Sequence, residues 1–369
     1  MLKKLRVAIA LNRLGIDLVR VAWLNPVLRF SDLGYSVLLK LKPGFTYEML
    51  EAKQAHLMVA LEVTHLELDR LGPSSVSISF GSFKRDSFPH YPVHLSTHFL
   101  PFTGAIPMGV DVYGSPVHLS LFDEAGGSVS LISGNPGQGK SSALRLVVAG
   151  LLHSSTVILW LDPKGGADAR FFRNRVIAIG DAVTASVVIQ YLRQVNALID
   201  RRVTLLSKDC SLDPLPPVLV LVDEWAHLGI DGSRTEINEV EVLLRRIASM
   251  GRAAKVSLVL ATQRPTSTQI DVSTRGLASN LLSFYVGDEY ASVAALGQKG
   301  AETLHPLRDR GVAFFRDGAK LQKVYLYQVP DDLRDASESI CGIASLEDLC
   351  LWESSIGLPG FDALSKSSS

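Results

Sequence analysis

Gly134-Asn135-Pro136-Gly137-Gln138-Gly139-Lys140-Ser141-Ser142 is the stretch on which the reading of this 369-residue chain turns. It fits G-x-x-x-x-G-K-[ST] at every defined position. The apolar run Val129-Ser130-Leu131-Ile132 precedes it as a strand, and residues 140–152 follow as a helix. Glycines let backbone N–H groups turn inward around an anion, and the helix N-terminus adds partial positive charge. In that frame Lys140 reaches the β- and γ-phosphates of a bound nucleotide, and the Ser141 hydroxyl ligates Mg²⁺.

A second half of such a site lies about 80 residues further on, in Pro217-Val218-Leu219-Val220-Leu221-Val222-Asp223-Glu224. Five apolar residues bury a central strand and deliver two carboxylates at its C-terminal tip, where open α/β sheets bind ligands. Asp223 suits the Mg²⁺ shell. Glu224, one residue on, is placed to take a proton from an attacking water. Adjacent Asp and Glu favour hydrolysis over transfer to another acceptor. A third strand, Val256 to Ala261, ends in Thr262-Gln263-Arg264-Pro265, and Gln263 can face a γ-phosphate there. Upstream, Arg252 follows Gly251 and a helix carrying Arg245 and Arg246. Such arginines either pair on their own surface or reach a neighbour's nucleotide. Asp162-Pro163-Lys164, Trp225 and His227 also border the site. A salt bridge is the plain expectation for Lys164, and packing or exposure for His227.

Around these motifs, apolar strand candidates (129–132, 157–161, 176–179, 218–222, 256–261) alternate with helical stretches (140–152, 181–207, 235–250). Continuous apolar strands between helices imply a mostly parallel sheet covered on both faces. Residues 31–84 read as a small α+β (βαββ) domain: a strand at 35–42, a helix at 47–61 opened by Thr46, and strands at 63–68 and 76–80. Residues 85–104 read as a linker, and 106–112 with 116–122 as a hairpin around Tyr113-Gly114.

Bulk numbers exclude other classes. The chain is 47% apolar and 20% charged, with 37 Lys+Arg against 37 Asp+Glu, so it is globular and does not bind by bulk charge. That balance is a cancellation: residues 1–30 hold six basic and one acidic side chain, and 331–369 hold two basic and eight acidic. The first segment reads as a basic amphipathic N-terminal helix, the last as an acidic C-terminal tail. Arg13, Asp17 and Arg20 interrupt residues 5–30, so no membrane span is expected there. Cys210, Cys341 and Cys350 are too few and scattered for a disulfide framework, which points to a reducing, cytoplasmic compartment.

At this point the residues resemble a family. Gly251 to Pro265, Leu296-Gly297-Gln298-Lys299-Gly300-Ala301-Glu302, and Asp309-Arg310-Gly311 before the strand 312–315 look like the signature of FtsK/SpoIIIE-type DNA translocases. Asp162-Pro163-Lys164, Met108-Gly109-Val110-Asp111 and Leu41-Lys42-Pro43-Gly44 fit the same pattern, closest in texture to actinobacterial plasmid conjugal-transfer translocases. The resemblance covers about residues 35–330. It implies a RecA-like P-loop motor that hydrolyses ATP with Mg²⁺ and threads double-stranded DNA through a ring, usually a homo-hexamer.

Carried over by position, Lys140, Ser141, Asp223, Glu224 and Gln263 match the nucleotide site, and Arg252 the trans-acting arginine. DNA-facing loops fall at about 228–236 and 266–276, placing Arg234 and Arg275 near phosphates. The chain departs from the family at Leu281-Leu282-Ser283, which stands where a Thr-Arg pair opens the strand. Two further departures are expected: no membrane span ahead of the motor, and no winged-helix module of the family's kind in the 39 residues after Pro330. The resulting expectation is an ATP-driven duplex-DNA translocase for plasmid transfer or segregation, with a membrane or partner contact through 1–30. The alternatives are a single-stranded-DNA motor of the type IV coupling protein or HerA class, and a nucleotide-gated adaptor. The two DNA loops contain no aromatic residue for stacking single-stranded bases, which tilts the expectation to duplex.

Overall fold

The computed structural model describes residues 18–20, 34–63, 65–70, 75–81, 104–111, 116–123, 126–152, 154–166, 169–172, 175–180, 182–263, 265, 272–318, 320–329 and 345–355. The chain divides into two compact units: residues 1–89 with 109–117 and 323–325, and residues 90–108, 118–322 and 326–369.

The first unit has a four-stranded sheet in the order β1-β2-β4-β3. Its strands are β1 (Leu18–Arg20), β2 (Gly34–Leu41), β3 (His65–Arg70) and β4 (Ser75–Gly81), paired antiparallel throughout. The helix expected over 47–61 is two, α1 (Tyr47–Glu51) and α2 (Gln54–Leu61). Thr46 caps α1 by accepting the Met49 N–H. The Ala52 amide then folds back onto the Glu48 and Leu50 carbonyls, tightening the turn that stops the helix. Leu50, Leu57 and Leu61 bury against Leu39, Leu41, Leu66, Val76, Ile78 and Phe80.

A correction falls on the amphipathic helix expected over 1–30. Residues 18–20 are a strand, because their backbone groups pair with the outer edge of β2. The rest of that segment lies outside the described residues, as do most of the 85–104 linker and the Tyr113-Gly114 turn.

Strands β5 (Ala105–Asp111) and β6 (Pro116–Ser120) are neighbours, matching the expected hairpin strands. After them, β7 (Phe122–Asp123) and β8 (Gly126–Gly127) pair as a small hairpin. In the second unit run β9 (Val129–Ser133), α3 (Lys140–Gly150), β10 (Val157–Leu161), β11 (Ile177–Ile179), α4 (Ala185–Leu206), β12 (Val218–Val222), α5 (Arg234–Met250) and β13 (Val256–Thr262). They are followed by α6 (Val272–Leu277), β14 (Asn280–Ser283), α7 (Glu289–Leu296), β15 (Val312–Asp317), β16 (Lys320–Leu326) and α8 (Leu346–Ser355).

Strands β11, β10, β12, β13, β9 and β14 lie side by side in that order, all parallel, and β15 joins β14 antiparallel. Every residue of β9, β10, β12 and β13 is buried, as continuous apolar runs require of a two-faced sheet. Val188, Leu192, Val195 and Ile199 of α4 share one core with Val240, Leu244 and Ile247 of α5 and with Val220 and Leu258 beneath.

Buried polar side chains link β9 and β14. Asn280 Nδ2 donates to the Ser120 carbonyl (2.8 Å) and to Ser130 Oγ (3.1 Å), and Ser133 Oγ bonds Ser283 Oγ (3.0 Å). Asn280 and Ser283 thus supply the polar contacts of β14.

The acidic tail also needs correction. Its residues 346–355 are the helix α8, whose Leu346 and Leu349 enter the core of the second unit. Glu353 is fully buried against Arg202 of α4, which is fully buried too. Both Arg202 Nε (3.2 Å) and Nη2 (2.6 Å) donate to Glu353 Oε1, and its remaining donors bond the Ala254 and Pro216 carbonyls, each at 2.8 Å. A carboxylate counted as tail charge is therefore an internal partner.

Candidate active site

Strand order brings the site together. β9 delivers the phosphate loop, β12 the carboxylates and β13 Gln263. These strands are parallel neighbours, so all three deliveries emerge at their C-terminal edge. Gly134 (φ 152°) and Gly139 (φ 128°) adopt backbone conformations that other residues avoid. A Cβ on either would lie 2.6 or 2.7 Å from Phe284, whose buried ring forms the floor of the loop. Gly139 is followed directly by α3, whose first turn has no side-chain cap, so its amide groups are offered to an anion.

Gln138 fixes the outer limb. Its Nε2 donates to the Pro306 carbonyl (3.0 Å), and its own carbonyl accepts from the Gly311 N–H (2.8 Å). Ser141 is half-buried within the first turn of α3, and Ser142 is exposed beside it.

Lys140 is buried, and its ammonium donates to Asp223 and lies 3.5 Å from Glu224 Oε2. Asp223 is fully buried and Glu224 nearly so. Glu224 holds a left-handed backbone (φ 57°), uncommon for a residue with a Cβ. Its carboxylate is gripped from β13: Oε1 accepts from Thr262 Oγ1 (3.1 Å) and from the Gln263 N–H (3.0 Å). A carboxylate held in this way presents a fixed edge to whatever occupies the crevice. Asp223 and Ser141 offer oxygen donors beside the lysine, the donor type that Mg²⁺ prefers.

Other expected residues are placed elsewhere. Arg252 is exposed in the turn before β13, at the end of that strand opposite Gln263. Seven residues of strand span roughly 20 Å, so it is remote from its own phosphate loop. Arg246 pairs with Asp200 on α4, the ordinary fate of a surface arginine. Arg234 is exposed at the first position of α5, behind a capping box made by Ser233 and Glu236. Arg275 Nη1 donates to the Val293 (2.9 Å) and Ala294 (3.4 Å) carbonyls, capping the C-terminus of α7. His227 is exposed, and Trp225 is half-buried against the core.

Two contributors escape sequence reasoning. These are Thr262, which bonds Glu224, and Phe284, which floors the phosphate loop. A third, Lys164, makes a salt bridge as expected, but to both site carboxylates.

The FtsK/SpoIIIE family model matches residues 170–267, a span that holds Asp223, Glu224 and Gln263. Over that span the chain is similar to the FtsK/SpoIIIE family. It is 30% identical over 160 residues to the DNA translocase FtsK of Rhizobium meliloti, covering 42% of this chain and 17% of that protein. To the DNA translocase SftA of Bacillus subtilis it is 30% identical over 226 residues, covering 55% and 22%. The matched part is therefore less than a third of those relatives' length. Among solved structures, the pCW3 conjugation coupling protein TcpA, in a monomer form with ATPgS, superposes with a TM-score of 0.62 at 16% identity. That match covers 96% of this chain and 100% of that one, so the likeness takes in residues of both units. The cytoplasmic domain of the Thermomonospora curvata type VII secretion ATPase EccC matches at TM-score 0.50 and 23% identity, covering 67% and 31%. Among the described residues, no helix is long and apolar enough to cross a membrane.

Proposed function

We propose that this chain hydrolyses MgATP and uses the cycle to move double-stranded DNA through a ring of identical subunits, in plasmid transfer or DNA segregation. One observation carries the hydrolytic half: Glu224 is gripped by Thr262 and by the Gln263 N–H beside Lys140 and Asp223. In this reading the turned amides from Gly134 to Gly139 and the N-terminus of α3 bind the phosphates, and Lys140 neutralises charge on the β- and γ-groups. Ser141 and Asp223 hold Mg²⁺, which when bound supplies positive charge to the phosphate oxygens. Glu224 takes the proton of the attacking water, and the Gln263 side chain senses the γ-phosphate.

The DNA half rests on the translocase relatives. Of the two arginines first assigned to DNA, Arg234 retains that role, since its side chain is exposed at the head of α5. Arg275 serves α7 and is withdrawn from it.

Arg252 supports the ring. It lies at the opposite end of β13 from its own site, so it can meet a nucleotide only across a head-to-tail contact, the kind that closes into rings. Separately, Lys140→Ala and Arg252→Ala should each abolish most turnover, since a trans-acting arginine is worth about 10³–10⁵-fold. Mixed in equal parts, about a quarter of head-to-tail interfaces regain both groups, and turnover returns. Steady-state ATPase assays on the mixtures decide: no recovery on mixing removes Arg252 from the site.

A further inference from the structure

Lys164 approaches the two carboxylates from the side away from the phosphate loop. In the sheet β10 lies on one flank of β12, whereas β9 lies two strands away on the other, beyond β13. Lys164 stands three residues past the end of β10, and its ammonium is 3.5 Å from Asp223 Oδ2 and 3.9 Å from Glu224 Oε2. Lys140 reaches the same pair from the β9 side. Two buried carboxylates are thus neutralised by two lysines on opposite flanks.

The backbone holds Lys164 in that position. Asp162, fully buried, accepts the Lys164 N–H on Oδ1 at 2.8 Å. Pro163 between them fixes its own φ. Gly165 (φ 75°) and Gly166 (φ 71°) then turn the chain away in the left-handed region. The side chain itself is 37% exposed, so its place is set by the loop and by the carboxylates, with little contribution from core packing.

We propose that Lys164 is a positioning residue for hydrolysis, which holds the Glu224 carboxylate in its orientation while Lys140 serves the nucleotide. The inference rests on the ATPase reading above. In that reading Lys140 and Mg²⁺ are engaged with phosphate, and Mg²⁺ also balances Asp223. Glu224 then keeps two hydrogen-bond donors, from Thr262 and Gln263, and Lys164 is its remaining cation. Without it, the buried carboxylate is drawn to the nearest positive charge, which is Lys140, and loses the edge it presents to water.

The test uses the full chain with Lys164→Ala and Lys164→Arg, comparing kcat, KM for MgATP, and the Kd of a fluorescent ATP analogue. Lys164→Ala should lower kcat by about 10–100-fold, the scale of outer-shell partners, with analogue Kd within about threefold of wild type. Lys164→Arg should recover most of the loss, because a guanidinium restores the charge at the same loop. An unchanged kcat in Lys164→Ala overturns the proposal. So does a parallel loss of kcat and analogue binding with a lowered melting temperature, which marks a purely structural lysine. Wild-type turnover separates the two levels: none at all defeats the ATPase reading, whereas normal turnover insensitive to Lys164 defeats this inference alone.

Discussion

Glu224→Gln lowers ATP turnover by about 10²–10⁴-fold, the worth of a positioned general base, while leaving ATP analogue binding within a few-fold of wild type. The substitution is nearly isosteric. Oε1 accepts from Thr262 Oγ1 and from the Gln263 N–H, and a glutamine carbonyl at that position can accept both. What disappears is the proton acceptor and one of the two negative charges facing Lys140 and Lys164. Binding by the phosphate loop therefore persists, and chemistry stops. Single-turnover hydrolysis beside an analogue titration checks this. Turnover above about a tenth of wild type would show that another group takes the proton.

Arg202→Met lowers unfolding stability by about 3–5 kcal/mol, because it strands Glu353 as an unpaired buried charge. Both side chains are fully buried, and Glu353 Oε2 has no hydrogen-bond partner, so Arg202 is the main compensation for that carboxylate. Arg202 also ties the Ala254 carbonyl before β13 to α8, and the loss unfastens that turn from the C-terminal helix. The double substitution Arg202→Met with Glu353→Leu replaces the pair by apolar volume and should regain most of the deficit. Urea unfolding of the single and double variants reads this directly. Equal stability of Arg202→Met and wild type would mean that α8 is not part of the folded core.

How much of this was legible follows from the range of each signal. The phosphate loop, the Asp223-Glu224 tip and the parallel order of strands are local patterns of composition and spacing. Among the described residues of 129–262, the strands and helices accordingly lie close to where they are read. Phe284 as the floor of the loop was not legible, because nothing near residue 284 marks a contact with Gly134 and Gly139, about 150 positions earlier.

Arg275 falls in the loop that the family resemblance turns toward DNA, and nothing in that loop's sequence shows that its guanidinium caps α7. Charge counting hid the C-terminal helix, because eight acidic residues read as solvated even though Leu346, Leu349 and Glu353 recur at helical spacing. A burial pattern that includes a glutamate is not visible until its arginine is found. Lys164 was seen and given its plain role, a salt bridge. The structure keeps the salt bridge and identifies its partners as the two site carboxylates.

In the proposed function, ATP hydrolysis is coupled to duplex DNA. The direct measurement is the steady-state ATPase rate of the full chain alone, with duplex DNA, and with a single strand of the same sequence. Duplex should raise the rate well above that with either no DNA or single strand, and Glu224→Gln should lose it under all three conditions. A rate indifferent to duplex, or raised by single strand alone, would contradict it.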